Sequence, residues 1–375
     1  MRHARNPFTP SFGATPPKVA GRGEMVEIFG RSLDYGPGAP GRAVFYTGAR
    51  GSGKTVMLNE AVVQARERGW LVVNETARQG LTDRIVTVHV PRLEAELGAA
   101  TAKRRISSIT APLGAGAVAW QTSEPPRVRD DLQTRLFDLA DRLAEHETGL
   151  LITIDEIHKS VKEELRELFH VLQLANREGK DVAFASAGLP SAVHDLLNDD
   201  VLTFLRRAQR HLLGPVSREE ASKAVQEPLV AAGVEIDAQT ARDAVDVTRG
   251  YPFLIQLVGY HLFETARGGR VTAKTAASAT REALAQLGRL VHEPALRDLS
   301  AADRAVLRAM AQDQGKPSRM ADLVDRLRKP RSWVNNYRSR LIAAEVIEPA
   351  GRGLVRYTIP YLGDSLQREA PAEDW

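Results

Sequence analysis

Short apolar runs alternate with amphipathic stretches through the first 215 residues of the chain. The runs are apolar on both faces, as strands buried inside a parallel sheet are, and they lie at 42–47, from 70 to 77, at 150–156, at 182–188 and at 210–215. The stretches between them have helical periodicity and lie at 54–68, at 80–97 with an expected interruption at Pro91, at about 128–146 and from 157 to about 176. Strands that alternate with helices predict an α/β core in which a parallel sheet is covered by helices.

After residue 217 the pattern becomes helical. Four helices are predicted at 217–231, 238–249, 252–267 and 272–290, followed by a fifth at 299–312 that begins at a Ser300 cap. The segments "RMADLVDRLR" and "RSWVNNYRSRLIAAEVI" predict two more helices, and "EPAGRGLVRYTI" has the pattern of a strand, a Gly-rich turn and a strand. Three helices and a hairpin predict a C-terminal winged helix-turn-helix.

These changes of pattern divide the chain into five parts. We expect a flexible N-terminal arm at 1–23, the α/β core at 24–215, an all-α lid at 216–292, the winged helix-turn-helix at 293–365 and a tail at 366–375. Within the core, residues 100–121 alternate weakly around a Gly-rich centre, which indicates a hairpin. That hairpin is either an insertion for assembly or DNA contact, or an extension of the sheet edge.

One segment joins the first strand to the first helix through a glycine-rich loop, "VFYTGARGSGKTVMLNEAV". Its centre fits G-x-x-x-x-G-K-[ST] and consists of Gly48, Ala49, Arg50, Gly51, Ser52, Gly53, Lys54 and Thr55. Glycines let successive N–H groups turn toward one phosphate chain, and the start of the helix adds its positive dipole end. Lys54 can then reach the β- and γ-phosphates, while the Thr55 hydroxyl can bind Mg²⁺. The pattern predicts a nucleotide-binding P-loop core.

The third apolar run, "LLITIDE", ends in two acids. At the carboxyl edge of the sheet Asp155 can hold the shell of a Mg²⁺ ion, and Glu156 can orient and polarise an attacking water. Because signalling GTPases usually lack the adjacent acid, the pair favours hydrolysis of ATP. The pair and the long helical lid that follows it disfavour a small-molecule kinase.

Two further features each allow a functional and a plain structural interpretation. Ser186, near the end of the fourth strand, is a candidate for contact with the γ-phosphate or the water, or is a buried serine bonded to the backbone. Arg206 and Arg207 precede the fifth strand. They are candidates for acting in trans on the site of a neighbouring subunit, or they belong to a solvated basic helix.

Composition excludes several classes of protein. The 375 residues include no cysteine, which excludes disulfides and thiolate metal sites and agrees with a reducing compartment. No apolar run approaches the roughly 18 residues of a membrane helix, and the N-terminus is basic and rich in Pro and Gly, unlike a signal peptide. We therefore expect a cytoplasmic protein with no membrane partner.

The positive charge is concentrated at one end. Residues 316–356 carry ten Lys/Arg against four Asp/Glu, a net +6, whereas the whole chain has a net charge of +4. Polar side chains of the third helix and the wing are candidates for base and phosphate contact; these are Arg331, Ser332, Asn335, Asn336, Arg338, Arg352 and Arg356. The basic excess favours double-stranded DNA as the partner. The alternative is a winged helix that docks on protein.

The motifs together resemble AAA+ and STAND ATPases, and more narrowly the initiator-like branch that includes origin-recognition-related ATPases and the ExeA and TniB types. "AGRGEM" resembles the Gly-Arg-x-x-Glu box near the adenine, which implies a nucleotide-binding role for Arg22. "TRGYPFLIQLVGYHLFE" resembles the Gly-x-Pro segment of the STAND lid, which implies that Pro252 lies next to the base. Many AAA+ lids carry a second sensor arginine where this chain reads Gly-Tyr-Pro-Phe, and that departure favours slow turnover.

The sequence thus predicts a P-loop protein that binds ATP and Mg²⁺, hydrolyses ATP, and couples its nucleotide state to DNA binding or assembly on DNA. Self-association would bring an arginine in trans to the site. The alternative is a STAND-type nucleotide switch with slow or no turnover, whose winged helix binds a protein partner or the ATPase core.

Overall fold

The computed structural model describes residues 5–11, 16, 19–98, 131–157, 161–199, 202–266 and 269–368. Five parallel strands form the central sheet in the order β2-β3-β4-β1-β5. They are β1 (Ala43–Thr47), β2 (Leu71–Thr76), β3 (Leu150–Ile157), β4 (Val182–Gly188) and β5 (Gln209–Leu212). The predicted parallel sheet is confirmed. Its carboxyl edge brings the ends of β1, β3 and β4 together.

Helices cover both faces of this sheet. They are α1 (Gly23–Asp34), α2 (Lys54–Glu67), α3 (81–98), α4 (Leu132–Ala144), α5 (Lys162–Arg177) and α6 (Pro190–Leu197). On one face α1 and α2 bury Tyr46 and Met57, and on the other α3 to α6 surround Phe45 and Phe169. The alternation of side chains along each strand separates these two cores. The predicted hairpin at 100–121 lies outside the described residues.

Helix α3 continues across Pro91, where the sequence predicted an interruption. Residues Leu81–Arg84 are α-helical, Ile85–His89 form a π-helical turn, and the helix then extends to residue 98. A proline ring would meet the carbonyl of the residue four positions earlier, Thr87. The wider π turn contains Thr87 and so accommodates the proline within one helix.

The lid contains four helices, α7 (Arg218–Ala231), α8 (Ala238–Thr248), α9 (Pro252–Thr265) and α10 (Ala273–Leu287). It also contains a short parallel pair, β6 (Glu235–Ile236) with β7 (Arg270–Val271). The prediction of an all-α lid was wrong on this point. Two-residue strands leave no alternating pattern in the sequence, so periodicity cannot detect them.

The N-terminal arm contacts the lid. Phe8 is 2% exposed and packs against α9 at Gly259, where an added Cβ would lie 2.1 Å from the Phe8 ring. The side-chain amide of Asn6 donates to the Tyr260 carbonyl (3.1 Å), and the Thr9 amide donates to Oε1 of Gln256 (3.2 Å). Residues 5–11 are therefore packed, although the sequence analysis expected a flexible arm.

The last described part of the chain, residues 293–368, is here called the C-terminal module. Its helices are α11 (Glu293–Arg297), α12 (Ala301–Ala311), α13 (Met320–Leu327), α14 (Arg331–Ala343) and α15 (Leu362–Arg368). Its antiparallel sheet has the order β8-β10-β9, formed by β8 (Ser318–Arg319), β9 (Ile347–Pro349) and β10 (Leu354–Tyr357). The identification of this module as a winged helix stays a prediction.

The lid and the C-terminal module share one hydrophobic core. It runs from Leu254 in α9 through Leu287 and Val291 to Leu307 and Leu341 of the module. A π-helical turn at Gly288–His292 connects α10 directly to α11. The module is thus joined to the lid by packing as well as by the chain. In the part of the chain that the structure describes, no helix is long and apolar enough to cross a membrane.

Candidate nucleotide site

The glycine-rich loop between β1 and α2 has the backbone that its sequence requires. Gly51 has a φ of 74° and Gly53 a φ of 93°, in the left-handed region that favours glycine. An added Cβ on Gly51 would lie 2.2 Å from the Tyr251 hydroxyl. Both the backbone conformation and this contact therefore exclude a larger residue at position 51. Helix α2 begins at Lys54, directly after the loop. The loop N–H groups and the helix start can together receive an anion.

Lys54 is half-buried and folds back over the loop. Its Nζ donates to the carbonyl oxygens of Gly48 (2.6 Å) and Ala49 (3.1 Å). Burial lowers the pKa of Lys54, and nearby carboxylates oppose that effect. The lysine is therefore a positive group held against the loop. Its Nζ can give up the hydrogen bonds to the two carbonyl oxygens and donate to phosphate oxygens instead.

Thr55 and Asp155 meet across the sheet edge. The Thr55 hydroxyl donates to Oδ2 of Asp155 (2.8 Å), while Oδ1 of the same carboxylate accepts the Glu156 amide (2.8 Å). Glu156 is exposed and has a φ of 56°, at an irregularity in the pairing of β3 with β4. A hydroxyl and a carboxylate at this separation are oxygen donors of the kind that Mg²⁺ prefers. The residues present therefore fit a nucleotide-bound Mg²⁺ ion.

A cavity of about 600 Å³ opens between the core, the lid, the arm and the C-terminal module, within the size range of ligand pockets. The loop from Arg50 to Thr55, with Asp155 and Glu156, lines one end. Arg22 and Pro252 also line it. The Arg22 guanidinium donates to the Gly214 carbonyl (2.5 Å), and burial lowers its pKa.

The lid is tied to the phosphate loop by a tyrosine that the sequence analysis did not single out. Tyr251 is 5% exposed, and its hydroxyl donates to the Arg50 carbonyl (2.6 Å). Burial raises its pKa well above the ordinary value. The neutral hydroxyl is thus a fixed donor that connects the start of α9 to the loop. The Gly-Tyr-Pro-Phe segment, which lacks the sensor arginine, supplies this contact instead.

Arg249, beside that segment, faces the C-terminal module. Its guanidinium lies 3.8 Å from the centre of the Tyr361 ring and 4.0 Å from Asp364. Its backbone φ of 48° ends α8 in the left-handed conformation. Arg249 therefore contributes to the contact between lid and module.

The C-terminal module also contributes a residue to the cavity. Glu345, between α14 and β9, lines it together with Lys54 and Asp155. Oε1 of Glu345 is buried and has no hydrogen-bond partner among the described residues. Glu345 lies inside the segment that the sequence predicted to be helical, so no local pattern marked it as a site residue.

Three candidates from the sequence lie outside the cavity. Ser186 is fully buried, and its hydroxyl has no hydrogen-bond partner among the described residues. Arg206 and Arg207 are exposed on a 3₁₀ turn, Thr203–Arg207, and Nε of Arg206 donates to the Leu197 carbonyl (3.3 Å). The cavity wall at the end of β4 is formed instead by Gly188 and Leu189.

The candidate DNA-contacting residues all lie in the C-terminal module, on one helix and one hairpin. The exposed ones are Arg331, Ser332, Asn335, Asn336, Arg352 and Arg356, and Arg338 is half-buried. Arg356 is paired with Glu348 (2.6 Å). The other exposed side chains of this set are accessible to solvent.

Two parts of the chain are similar to known protein families. Residues 18–184 match the AAA ATPase domain, and residues 289–366 match a Domain of unknown function (DUF8462). A search of curated proteins found no match to the chain.

Two solved structures share the fold over nearly the whole chain. The Walker-type ATPase PABY2304 of Pyrococcus abyssi is 17% identical, with a TM-score of 0.61 over 93% of this chain and 96% of that one. The ORC2 protein of Aeropyrum pernix, solved as ADPNP-ADP complexes, is 15% identical, with a TM-score of 0.62 over 96% of each chain. Residues 18–184 are therefore similar to the AAA ATPase domain, and the chain shares its fold with these two structures.

Proposed function

We propose that this protein binds ATP with Mg²⁺ and hydrolyses it. The observation that carries the proposal is the contact between Thr55 and Asp155, 2.8 Å apart, beside Lys54 at the end of a cavity large enough for a nucleotide. The A. pernix ORC2 protein, whose fold this chain shares, was solved with ADPNP and ADP. Steady-state ATP turnover by the wild-type protein and by Glu156→Gln tests the proposal.

Each residue of the site has a distinct task in this scheme. The loop from Gly48 to Gly53 directs backbone N–H groups at the phosphates, and Lys54 neutralises their charge. Thr55 and Asp155 would hold Mg²⁺, which neutralises charge on the terminal phosphates when bound. Glu156 is exposed to the cavity and accepts a proton from, or orients, the attacking water.

The base of the nucleotide would lie against Pro252 and near Arg22. Both residues line the same cavity, and Arg22 is anchored on the Gly214 carbonyl. Proline at the first turn of α9 presents an apolar surface without a backbone donor, which suits the face of a purine ring. The lid then covers the base while the core binds the phosphates.

We further propose that the C-terminal module binds double-stranded DNA through α14 and the β9–β10 hairpin. The net +6 of residues 316–356 supports a polyanionic partner. The exposed Arg331, Asn335 and Asn336 on one helix are residue types that contact phosphates and base edges. The exposed Arg206 and Arg207, remote from the cavity of their own chain, are available to a neighbouring subunit assembled on the same DNA.

A nucleotide switch with little turnover is the second candidate function. The observation that favours it is the contact of the C-terminal module with the site, through Glu345 in the cavity and the core shared with the lid. In this case the module reports the nucleotide state by its position on the core. Tightly retained nucleotide without phosphate release would distinguish the switch from the hydrolase.

A further inference from the structure

The phosphate end of the cavity contains a third carboxylate, which comes from the C-terminal module. Glu345 lines the cavity with Lys54, Asp155 and Glu156. Burial lowers the pKa of Lys54, and of the carboxylates that oppose this effect Glu345 has the largest influence, ahead of Asp155 and Glu156. Oε1 of Glu345 is buried without a hydrogen-bond partner among the described residues. Burial raises the pKa of the Glu345 carboxyl, and the positive charges of Lys54 and Arg50 oppose that effect.

The backbone holds Glu345 at a position that normally belongs to glycine. Helix α14 ends in a Schellman motif, in which the Glu345 amide donates to the Ile342 carbonyl (3.0 Å) and the Val346 amide donates to the Leu341 carbonyl (3.1 Å). Glu345 has a φ of 58°, a conformation that costs free energy for any residue except glycine. The Thr358 hydroxyl donates to the Glu345 carbonyl. This turn places the Glu345 side chain at the wall of the cavity.

Contacts between module and lid fix the place of this turn. The Tyr361 hydroxyl donates to the Val247 carbonyl in α8 (2.7 Å), and Arg249 stacks on the Tyr361 ring. His292, 3% exposed, shares a hydrogen bond with the Pro360 carbonyl (2.9 Å). The carboxylate of Glu345 thus enters the cavity only while the module is docked on the lid and the core.

We propose that Glu345 makes the nucleotide site select a nucleoside diphosphate over a triphosphate. This inference rests on the proposed nucleotide-binding function. A γ-phosphate bound by Lys54 and near Glu156 would adjoin the Glu345 carboxylate, and two anions at one lysine repel each other. The β-phosphate of a diphosphate lies deeper in the loop and leaves Glu345 in place. ATP therefore binds at the cost of displacing the Glu345 side chain.

The test is a comparison of the affinities for ADP and ATP in the presence of Mg²⁺. All proteins carry Glu156→Gln so that ATP persists during isothermal titration calorimetry. We expect Glu345→Gln to raise the ATP affinity by about tenfold or more, which is about 1.4 kcal/mol, while the ADP affinity changes by less than about threefold. Glu345→Gly removes the carboxylate and suits the positive φ, so it should give the same selectivity change in a folded protein.

The matched control is Glu147→Gln. Glu147 also has a positive φ, 54°, but it is exposed in the turn after α4 and does not line the cavity. An unchanged ratio of ADP to ATP affinity in both Glu345 variants would overturn the inference and leave the proposed nucleotide function intact. If neither nucleotide bound to any variant, the proposed function itself would fall and the inference with it. If Lys54→Ala abolishes nucleotide binding, the measured affinity belongs to this site.

Discussion

The hydroxyl of Thr55 and the carboxylate of Asp155 lie 2.8 Å apart, although 100 residues separate them in the chain. The contact forms because β1 and β3 both deliver their carboxyl ends to the same edge of the sheet, with β4 between them. The fold therefore brings together the two oxygen groups that we propose as ligands of one Mg²⁺ ion. That arrangement is the structural basis of the proposed ATPase.

The tyrosine that ties the lid to the phosphate loop should affect nucleotide affinity. Tyr251→Phe removes the hydrogen bond to the Arg50 carbonyl and leaves the packing in place. We expect the affinity for ADP to fall by about threefold to tenfold, since one buried hydrogen bond contributes about 1 kcal/mol. Titration calorimetry measures the change. Tyr260→Phe, a lid tyrosine whose hydroxyl has no hydrogen bond with the described residues, should bind ADP as the wild type does. Equal affinities in Tyr251→Phe and the wild type would contradict this role.

The packing of the arm on the lid should contribute to stability. Phe8→Ala removes a ring that is 2% exposed, and we expect it to lower the free energy of unfolding by about 3 kcal/mol. Gly259→Ala should give a similar loss, because its Cβ would meet the Phe8 ring at 2.1 Å. Since both changes break the same contact, the double variant should be no less stable than the worse single variant. Urea unfolding of the three proteins checks this, and fully additive losses would show that the two residues act separately.

The buried carboxylate of Asp303 should make the C-terminal module sensitive to acid. Burial by itself raises the pKa of Asp303, but hydrogen bonds from Ser300 and Arg340 outweigh it and leave the pKa below the ordinary 3.8. Asp303 is 1% exposed, and the Arg340 guanidinium donates to it at 2.8 Å. The contribution of Asp303 to the free energy of unfolding is therefore complete above the pKa that this carboxyl has in the unfolded chain. It is lost as the pH falls through the lower pKa of the folded state.

The variant Asp303→Asn tests this direction of the pH dependence of stability. At pH 7 we expect the free energy of unfolding to fall by about 2 kcal/mol, the scale of a hydrogen bond to a charged group. The difference should shrink as the pH falls from about 4 through the lower folded-state pKa, because the wild-type carboxyl then becomes protonated. Urea unfolding between pH 7 and pH 2.5 measures both effects, with the exposed Asp298→Asn as the control. A difference that is constant over this range would rule out the carboxylate as its source.

The proposed DNA contacts should be visible in the salt dependence of binding. Arg331→Ala on α14 and Arg352→Ala on the hairpin each remove one exposed positive charge. We expect each variant to bind duplex DNA several-fold more weakly and to lower the slope of log affinity against log salt by about 1. Fluorescence anisotropy at several salt concentrations measures the slope. Arg242→Ala, on the exposed side of α8, is the control. An equal loss in the control would point to nonspecific attraction, and no binding at low salt would favour the switch.

Local patterns predicted the core of the site, because the glycine-rich loop and the Asp-Glu pair each lie within a few residues of the strand that positions them. Ser186 illustrates the limit of such patterns. Strand β4 continues two residues past it to Gly188, so its side chain stays within the sheet packing and the later residues reach the cavity. Periodicity gives the face of a strand but does not give its last residue.

Tyr251 and Glu345 show the second limit. Tyr251 contacts Arg50 across 201 residues of sequence, and Glu345 of the C-terminal module lines the same cavity as Lys54 of the core. Neither contact leaves a local signal, because each depends on how the lid and the C-terminal module pack on the core. These two parts of the site were therefore visible only in three dimensions.

The most direct test of the central claim is steady-state ATP turnover by the wild-type protein and by Glu156→Gln, with and without duplex DNA at low and moderate salt. The proposed mechanism predicts phosphate release that DNA stimulates, that moderate salt weakens, and that Glu156→Gln reduces by at least about 100-fold while ATP still binds. Negligible turnover by the wild type under every condition, with nucleotide retained, would contradict the hydrolase and leave the nucleotide switch.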